Sequence, residues 1–236
     1  MKFLHRDALI LTACGVALAS GLFVAALARA AVTNADPPLR LVRSWTLTAG
    51  ELDAASYPPA THRLRLEMAV MRAAGWSPEQ ILDATKLATR ILAQCGIRTT
   101  FVELREFDGP ARYRYLATPT SRELARRLRL ARPAVFFVAD TLNRPAFDAE
   151  AVGRGNSRAR PEMADTVWIT AGTRDLANVI AHELAHVLAD SGAHSDLPGN
   201  LMREDTTREG TSLTPNQCHR ITGTGAANGL LQPEKP

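Results

Sequence analysis

Residues 180–202, IAHELAHVLADSGAHSDLPGNLM, hold three of the chain's six histidines, a glutamate beside the first of them and a methionine at the end. His182-Glu183-Leu184-Ala185-His186 has the spacing HExxH. Histidines four apart on a helix lie on one face, about a turn from each other, so both imidazoles can reach one ion. Glu183 follows the first of them and points beside such an ion, where a carboxylate can take a proton from a metal-bound water and return it to a leaving amine. The bland alternative is a pair of satisfied core histidines. The surroundings oppose it: Leu176, Val179, Ile180, Leu184, Val187 and Leu188 predict a deeply packed helix. Two histidines and an acid are costly to bury there without a partner.

A tetrahedral catalytic site wants three protein ligands and one open position. His194 is the preferred third, because a neutral imidazole matches the other two. Gly192, just before it, is expected to take the left-handed conformation that ends the helix and turns the chain back. Asp190, Asp196 and Glu204 are the rival third ligands. The ion expected at such a set is Zn²⁺.

The N-terminus bears on the compartment. A basic start, an apolar run from Ala8 to Leu27 and Ala28-Arg29-Ala30 together match a secretory leader over residues 1–30. The run is also long enough to cross a bilayer, so an uncleaved anchor over 8–27 is the competing reading. LTAC at 11–14 has too little apolar sequence before Cys14 for a lipoprotein box. Either reading puts the body outside the cytoplasm, periplasmic or secreted, with membrane contact only through that segment. Two cysteines then remain, Cys95 and Cys218, and in an oxidising space they are expected to form one disulfide.

Composition excludes little but argues against nucleic acid. The net charge is +4, half of it within residues 1–30. Of 28 basic residues only Lys2, Lys86 and Lys235 are lysines, and the arginines are scattered where a nucleic-acid footprint would be clustered. The densest run, RELARRLRLAR at 122–132, places Leu124, Leu128 and Ala131 on one helical face and its arginines on a solvated one.

The length suits one globular domain with appendages, expected over 57–223, with an extension at 31–56 and a loose tail at 224–236. LRLVRSWTLTA alternates as a strand. THRLRLEMAVMRAAG at 61–75 predicts a helix ended by Gly75. SPEQILDATKLATRILAQCG at 77–96 predicts another, with Ser77 as N-cap and Pro78 at the tolerated first position. IRTTFVELREF alternates as a strand, with RYRYLAT as a hairpin partner across Asp108-Gly109-Pro110. A helix at 121–131 precedes the buried strands AVFFVAD and DTVWITA, separated by a polar loop at 150–163. Trp168 in the second of these strands is expected in the core. A helix over 174–190 carries the HExxH, and a last one starts at Thr214-Pro215. His219 is expected to be exposed. The layout is mixed α/β (α+β).

The chain resembles the metzincin metallopeptidases, and among them the matrixin-like enzymes, whose signature is HExxHxxGxxH followed by a methionine-containing turn beneath the metal. HSDLPGNLM is similar to the matrixin third histidine, its following serine and the run to the turn methionine. Met202 falls eight residues after His194, as in that family. The likeness extends to the order of elements over about 77–222. It implies a zincin-type mixed sheet with a long helix, a motif helix, a Met turn and a C-terminal helix; His182, His186 and His194 as zinc ligands; Glu183 as general base; and Met202 as the turn residue. One departure stands out. Ala189 occupies the signature glycine's place, and Gly192 and His194 come ten and twelve residues after His182, a two-residue extension of the motif.

The function expected is that of an exported zinc-dependent endopeptidase acting on peptides or proteins as a monomer. Two readings compete with it: a non-catalytic envelope or surface module in which zinc only stabilises the fold, and an arginine-rich polyanion binder.

Overall fold

The computed structural model describes residues 36–52, 59–144 and 146–234. The leader or anchor expected over 1–30 lies outside them. In chain order the elements are β1 (Arg40–Thr48), β2 (His62–Met71), α1 (Pro78–Ala93), β3 (Ile97–Asp108), β4 (Tyr115–Leu116), α2 (Thr118–Leu128), β5 (Ala134–Val138), β6 (Asp140–Thr141), β7 (Ala149–Val152), β8 (Thr166–Thr170), α3 (Leu176–Ala189), α4 (Pro215–Ala227) and β9 (Gln232–Pro233). The mixed α/β class expected from the sequence is the class observed.

The main sheet runs β1-β3-β2-β5-β8-β7, with β9 added beside β2. Strands β3, β2, β5 and β8 are mutually parallel, while β1 and β7 are antiparallel additions at the two edges. Parallel strands need crossovers and cover on both faces. Here α1 and α3 supply one layer, burying Leu64, Leu66, Met68, Val135, Phe137, Val167 and Ile169. On the other face Leu116, Leu124 and Tyr113 cover Phe136 and Trp168, whose rings stack at 4.2 Å. Trp168 is fully buried in the core, as expected.

Four expectations are corrected. Residues 62–71 form a central strand, not a helix. Leucine, methionine, alanine and arginine favour a helix intrinsically. However, Leu64, Leu66, Met68 and Val70 also alternate at period two, and pairing with β3 and β5 buries both faces of the strand's second half. RYRYLAT is not a hairpin partner of β3: residues 111–114 form a 3-10 turn, and β4 pairs in parallel with β6. The loop expected at 150–163 contains most of β7, a short edge strand without apolar periodicity. LRLVRSWTLTA, in contrast, forms the strand its alternation predicts, β1, at one edge of the sheet. Residues 224–234 are ordered: α4 runs to Ala227, Leu230 and Leu231 are buried, and β9 pairs with β2. A Cβ on Gly225 would lie 2.9 Å from Leu231 and 3.3 Å from Leu188, so glycine there lets α4 approach α3 closely.

Helix α1 begins as its sequence indicates, with the Ser77 hydroxyl accepting the Gln80 N–H. Helix α4 opens on a full capping box, Thr214 with Gln217, and its first proline is Pro215. Cys95, just beyond α1, and Cys218, in the first turn of α4, form the expected disulfide. Among the described residues no helix is long and apolar enough to cross a membrane.

Candidate metal centre and cleft

Helix α3 follows the last parallel strand and packs against the sheet, burying eleven of its fourteen residues. Its length, apolar content and position put His182 and His186 inside the protein at 3% and 7% exposure. His194 lies outside the helix, on an exposed stretch. Even so, the three rings converge. His186 Nε2 lies 2.9 Å from His182 Nε2 and 3.2 Å from His194 Nε2, and all three nitrogens fall within 4.8 Å of one another. Among the described residues no other group of three histidine, cysteine or acidic side chains comes together this way. The rivals Asp190, Asp196 and Glu204 are not part of it.

The far nitrogens settle which tautomer each buried ring adopts. His182 Nδ1 lies 2.7 Å from the Leu201 carbonyl and His186 Nδ1 lies 2.6 Å from the Ser191 carbonyl. A carbonyl only accepts, so each Nδ1 carries the proton and each Nε2 presents a lone pair to the centre. Ligating histidines are oriented in this way. The fit to zinc follows: Zn–N bonds near 2.0–2.1 Å in a tetrahedron place ligand nitrogens about 3.3 Å apart, close to the 2.9 and 3.2 Å that separate His186 Nε2 from its two partners. Burial lowers the affinity of both rings for protons, and for His186 the pKa falls to about 4, with the neighbouring His182 adding to the effect.

Helix α3 ends differently from the expectation. Asp190, not Gly192, takes the left-handed conformation, with φ +43°. Gly192 does not have a positive φ and has open space around it. Aspartate is among the few side chains that tolerate this conformation. Here its N–H donates to Val187, the Ser191 N–H donates to the His186 carbonyl at 3.1 Å, and its carboxylate is taken up by Gly155. The helix therefore stops at Ala189 and is not extended toward Gly192.

Met202 is buried behind His194. Its carbonyl accepts the Ser195 N–H at 2.7 Å, and its own N–H donates to Asn200 Oδ1 at 3.0 Å. Asn200 and Gln217 exchange two amide hydrogen bonds, each of 2.9 Å, which join this turn to the start of α4. Gln94, beside Cys95, accepts the Leu213 N–H and donates to the Thr211 carbonyl. Asn200, Gln217 and Gln94 have no counterpart among the expected site residues, and Asp190 is expected only as a rival ligand. A buried amide pair has no spacing signature, and only the capping pattern Thr214-x-x-Gln217 offered a hint.

A cleft of about 980 Å³ opens over the three histidines, between α3 and the edge strand β7. Residues 146–151, 172–174 and 204–206 line it, together with Gly153, Gly155, Asn156 and residues 190–192. Glu183 faces β7 from α3. Burial, and next the nearby Glu150, raise its pKa to about 8, against a hydrogen bond from the Ala151 backbone that works the other way. His219 is exposed, as expected.

No family model and no curated protein matches the chain. Among solved structures it is similar to metalloproteinase-II from Bacteroides fragilis, with a TM-score of 0.49 and 17% identity over 70% of this chain and 54% of that one, so the chain spans about half that protein's length.

Proposed function

We propose that the chain is an exported zinc-dependent endopeptidase of the metzincin type, with His182, His186 and His194 holding the ion and Glu183 as general base. The observation that carries this is the meeting of three Nε2 atoms, two of them with lone pairs turned inward by backbone carbonyls bonded to Nδ1, at the floor of an open cleft. A zinc ion bound there would supply Lewis acidity to a water and to a peptide carbonyl. Glu183, in a carboxylate-disfavouring environment, is suited to take the attacking water's proton and pass it to the departing amine. Among the described residues strand β7 has β8 on one side only, so its other edge can pair with an extended peptide laid in the cleft. Met202 forms the turn beneath the site. Export is supported by the leader sequence and by the Cys95–Cys218 disulfide.

The test joins metal analysis to a peptide-library assay. Wild type should hold about one zinc per chain and cleave peptides, and Glu183→Gln should keep the zinc and lose cleavage. A wild type that binds no metal ends the proposal. Wild type that holds zinc and cleaves nothing leaves only the structural-zinc module.

A further inference from the structure

One end of the cleft is closed by a contact that the chemistry above does not use. After Val152 the chain leaves the sheet edge and turns against the end of α3. The Gly155 N–H donates to Asp190 Oδ1 at 3.0 Å, and a Cβ on Gly153 would sit 2.6 Å from that same oxygen. Only glycine permits so close an approach. Arg154, between the two glycines, holds the loop from its other side: Nε donates to Asp165 Oδ2 at 2.9 Å and Nη2 to the Asn228 carbonyl at 2.6 Å. The backbone of Asp190 acts on the opposite wall. Its left-handed turn brings the Ser191 carbonyl onto His186 Nδ1.

We infer that Asp190 is a positioning residue: its carboxylate latches the end of β7 to the end of α3 and so sets the gap between the edge strand and the three histidines that a peptide must enter. The catalytic consequence rests on the peptidase reading; the latch itself does not. Without the carboxylate, β7 keeps its ladder to β8, but its Val152 end is released from α3. A peptide paired to β7 is then held less well in register with Glu183, and the loss falls on KM more than on kcat.

The experiment compares the full-length, zinc-loaded wild type with Asp190→Asn and Asp190→Gly. Asparagine tolerates the positive φ and keeps an acceptor oxygen; glycine keeps the backbone turn and deletes the latch. For a peptide long enough to span β7, D190G should raise KM about tenfold, the loss of one charge-assisted hydrogen bond, while zinc content stays at the wild-type level. Amide exchange at Gly155 should accelerate by a similar factor in D190G, and D190N should restore both readouts most of the way. Unchanged KM and exchange in D190G overturn the inference, as does D190N matching D190G. If wild type cleaves nothing while exchange still follows the latch, the peptidase reading fails and the latch stands.

Discussion

Nδ1 of His182 and the carbonyl oxygen of Leu201, 19 residues apart in the chain, lie 2.7 Å from each other inside the protein. The orientation of the His182 ring is therefore set by the turn at 200–202, and that turn is set by Asn200. Asn200 is 3% exposed, accepts the Met202 N–H and is paired twice with Gln217. Removing it leaves buried donors and acceptors unmet, at about 1–3 kcal/mol. Asn200→Ala should weaken zinc binding about ten- to hundredfold, as loss of outer-sphere support does at comparable sites. Competition against a chelating dye measures it. Wild-type affinity in a folded Asn200→Ala protein would detach the turn from the ligand.

The disulfide reaches the same turn from the opposite direction. Cys218 follows Gln217, and Gln94 precedes Cys95 while holding both Thr211 and Leu213. The bond joins residues separated by 123 positions, for which the chain-entropy model gives about 4–5 kcal/mol. The double variant Cys95→Ser/Cys218→Ser should lose stability of that order in urea and also bind zinc less tightly, because the end of α1, from which Gln94 holds Thr211 and Leu213, then loses its covalent tie to α4. Equal unfolding midpoints for the oxidised wild type and the variant would contradict this.

The pH dependence of the metal-free protein combines two opposing groups. The histidines have folded pKa values below the ordinary 6.5, to about 4 for His186, so their share of stability is present above 6.5 and is lost as pH falls toward 4. Glu183 is raised from 4.5 to about 8, so its share is present below 4.5 and is lost as pH rises through 8. Above 6.5 the Glu183 contribution acts without opposition from the histidines. Chelator-treated protein should therefore melt at a lower temperature at pH 8 than at pH 6.5, and Glu183→Gln should abolish that decline. Added zinc should reverse the slope, since protons compete for its ligands. Thermal melts across this range decide; a metal-free wild type that gains stability from 6.5 to 8 would refute the assignment.

How much of this was legible depends on whether a signal is local. HExxH, the Ser77 and Thr214 caps and the paired cysteines are short-range or countable, and each has its counterpart in the structure. Strand β2 is ambiguous in sequence because its residues satisfy both helical and strand periods, and only pairing with β3 and β5, distant in sequence, decides between them. The end of α3 is hard to place from sequence because glycine is the commoner left-handed residue. What favours Asp190 over Gly192 is a carboxylate taken up by Gly155, 35 residues away. Strand β7 leaves no sequence signal because an edge strand of four residues carries almost no pattern.

His182 and His194 meet at one point but are embedded differently, and this separates metal binding from folding. His182 is buried with its Nδ1 bonded to Leu201, so His182→Ala opens a cavity and strands a buried carbonyl. It should cost about 1–3 kcal/mol in metal-free protein as well as abolishing zinc binding. His194 is exposed on a segment anchored by its neighbour Ser195, whose N–H bonds the Met202 carbonyl. His194→Ala should therefore leave metal-free stability within about 0.5 kcal/mol of wild type, as surface changes usually do, yet lower zinc affinity by orders of magnitude. Glu204→Ala and Asp196→Ala should leave zinc affinity near wild type. Urea denaturation of chelated protein, paired with zinc titration, reads both quantities. Should His194→Ala bind zinc as wild type does while Glu204→Ala or Asp196→Ala does not, the third donor is an acid and the imidazole at 194 only lies nearby.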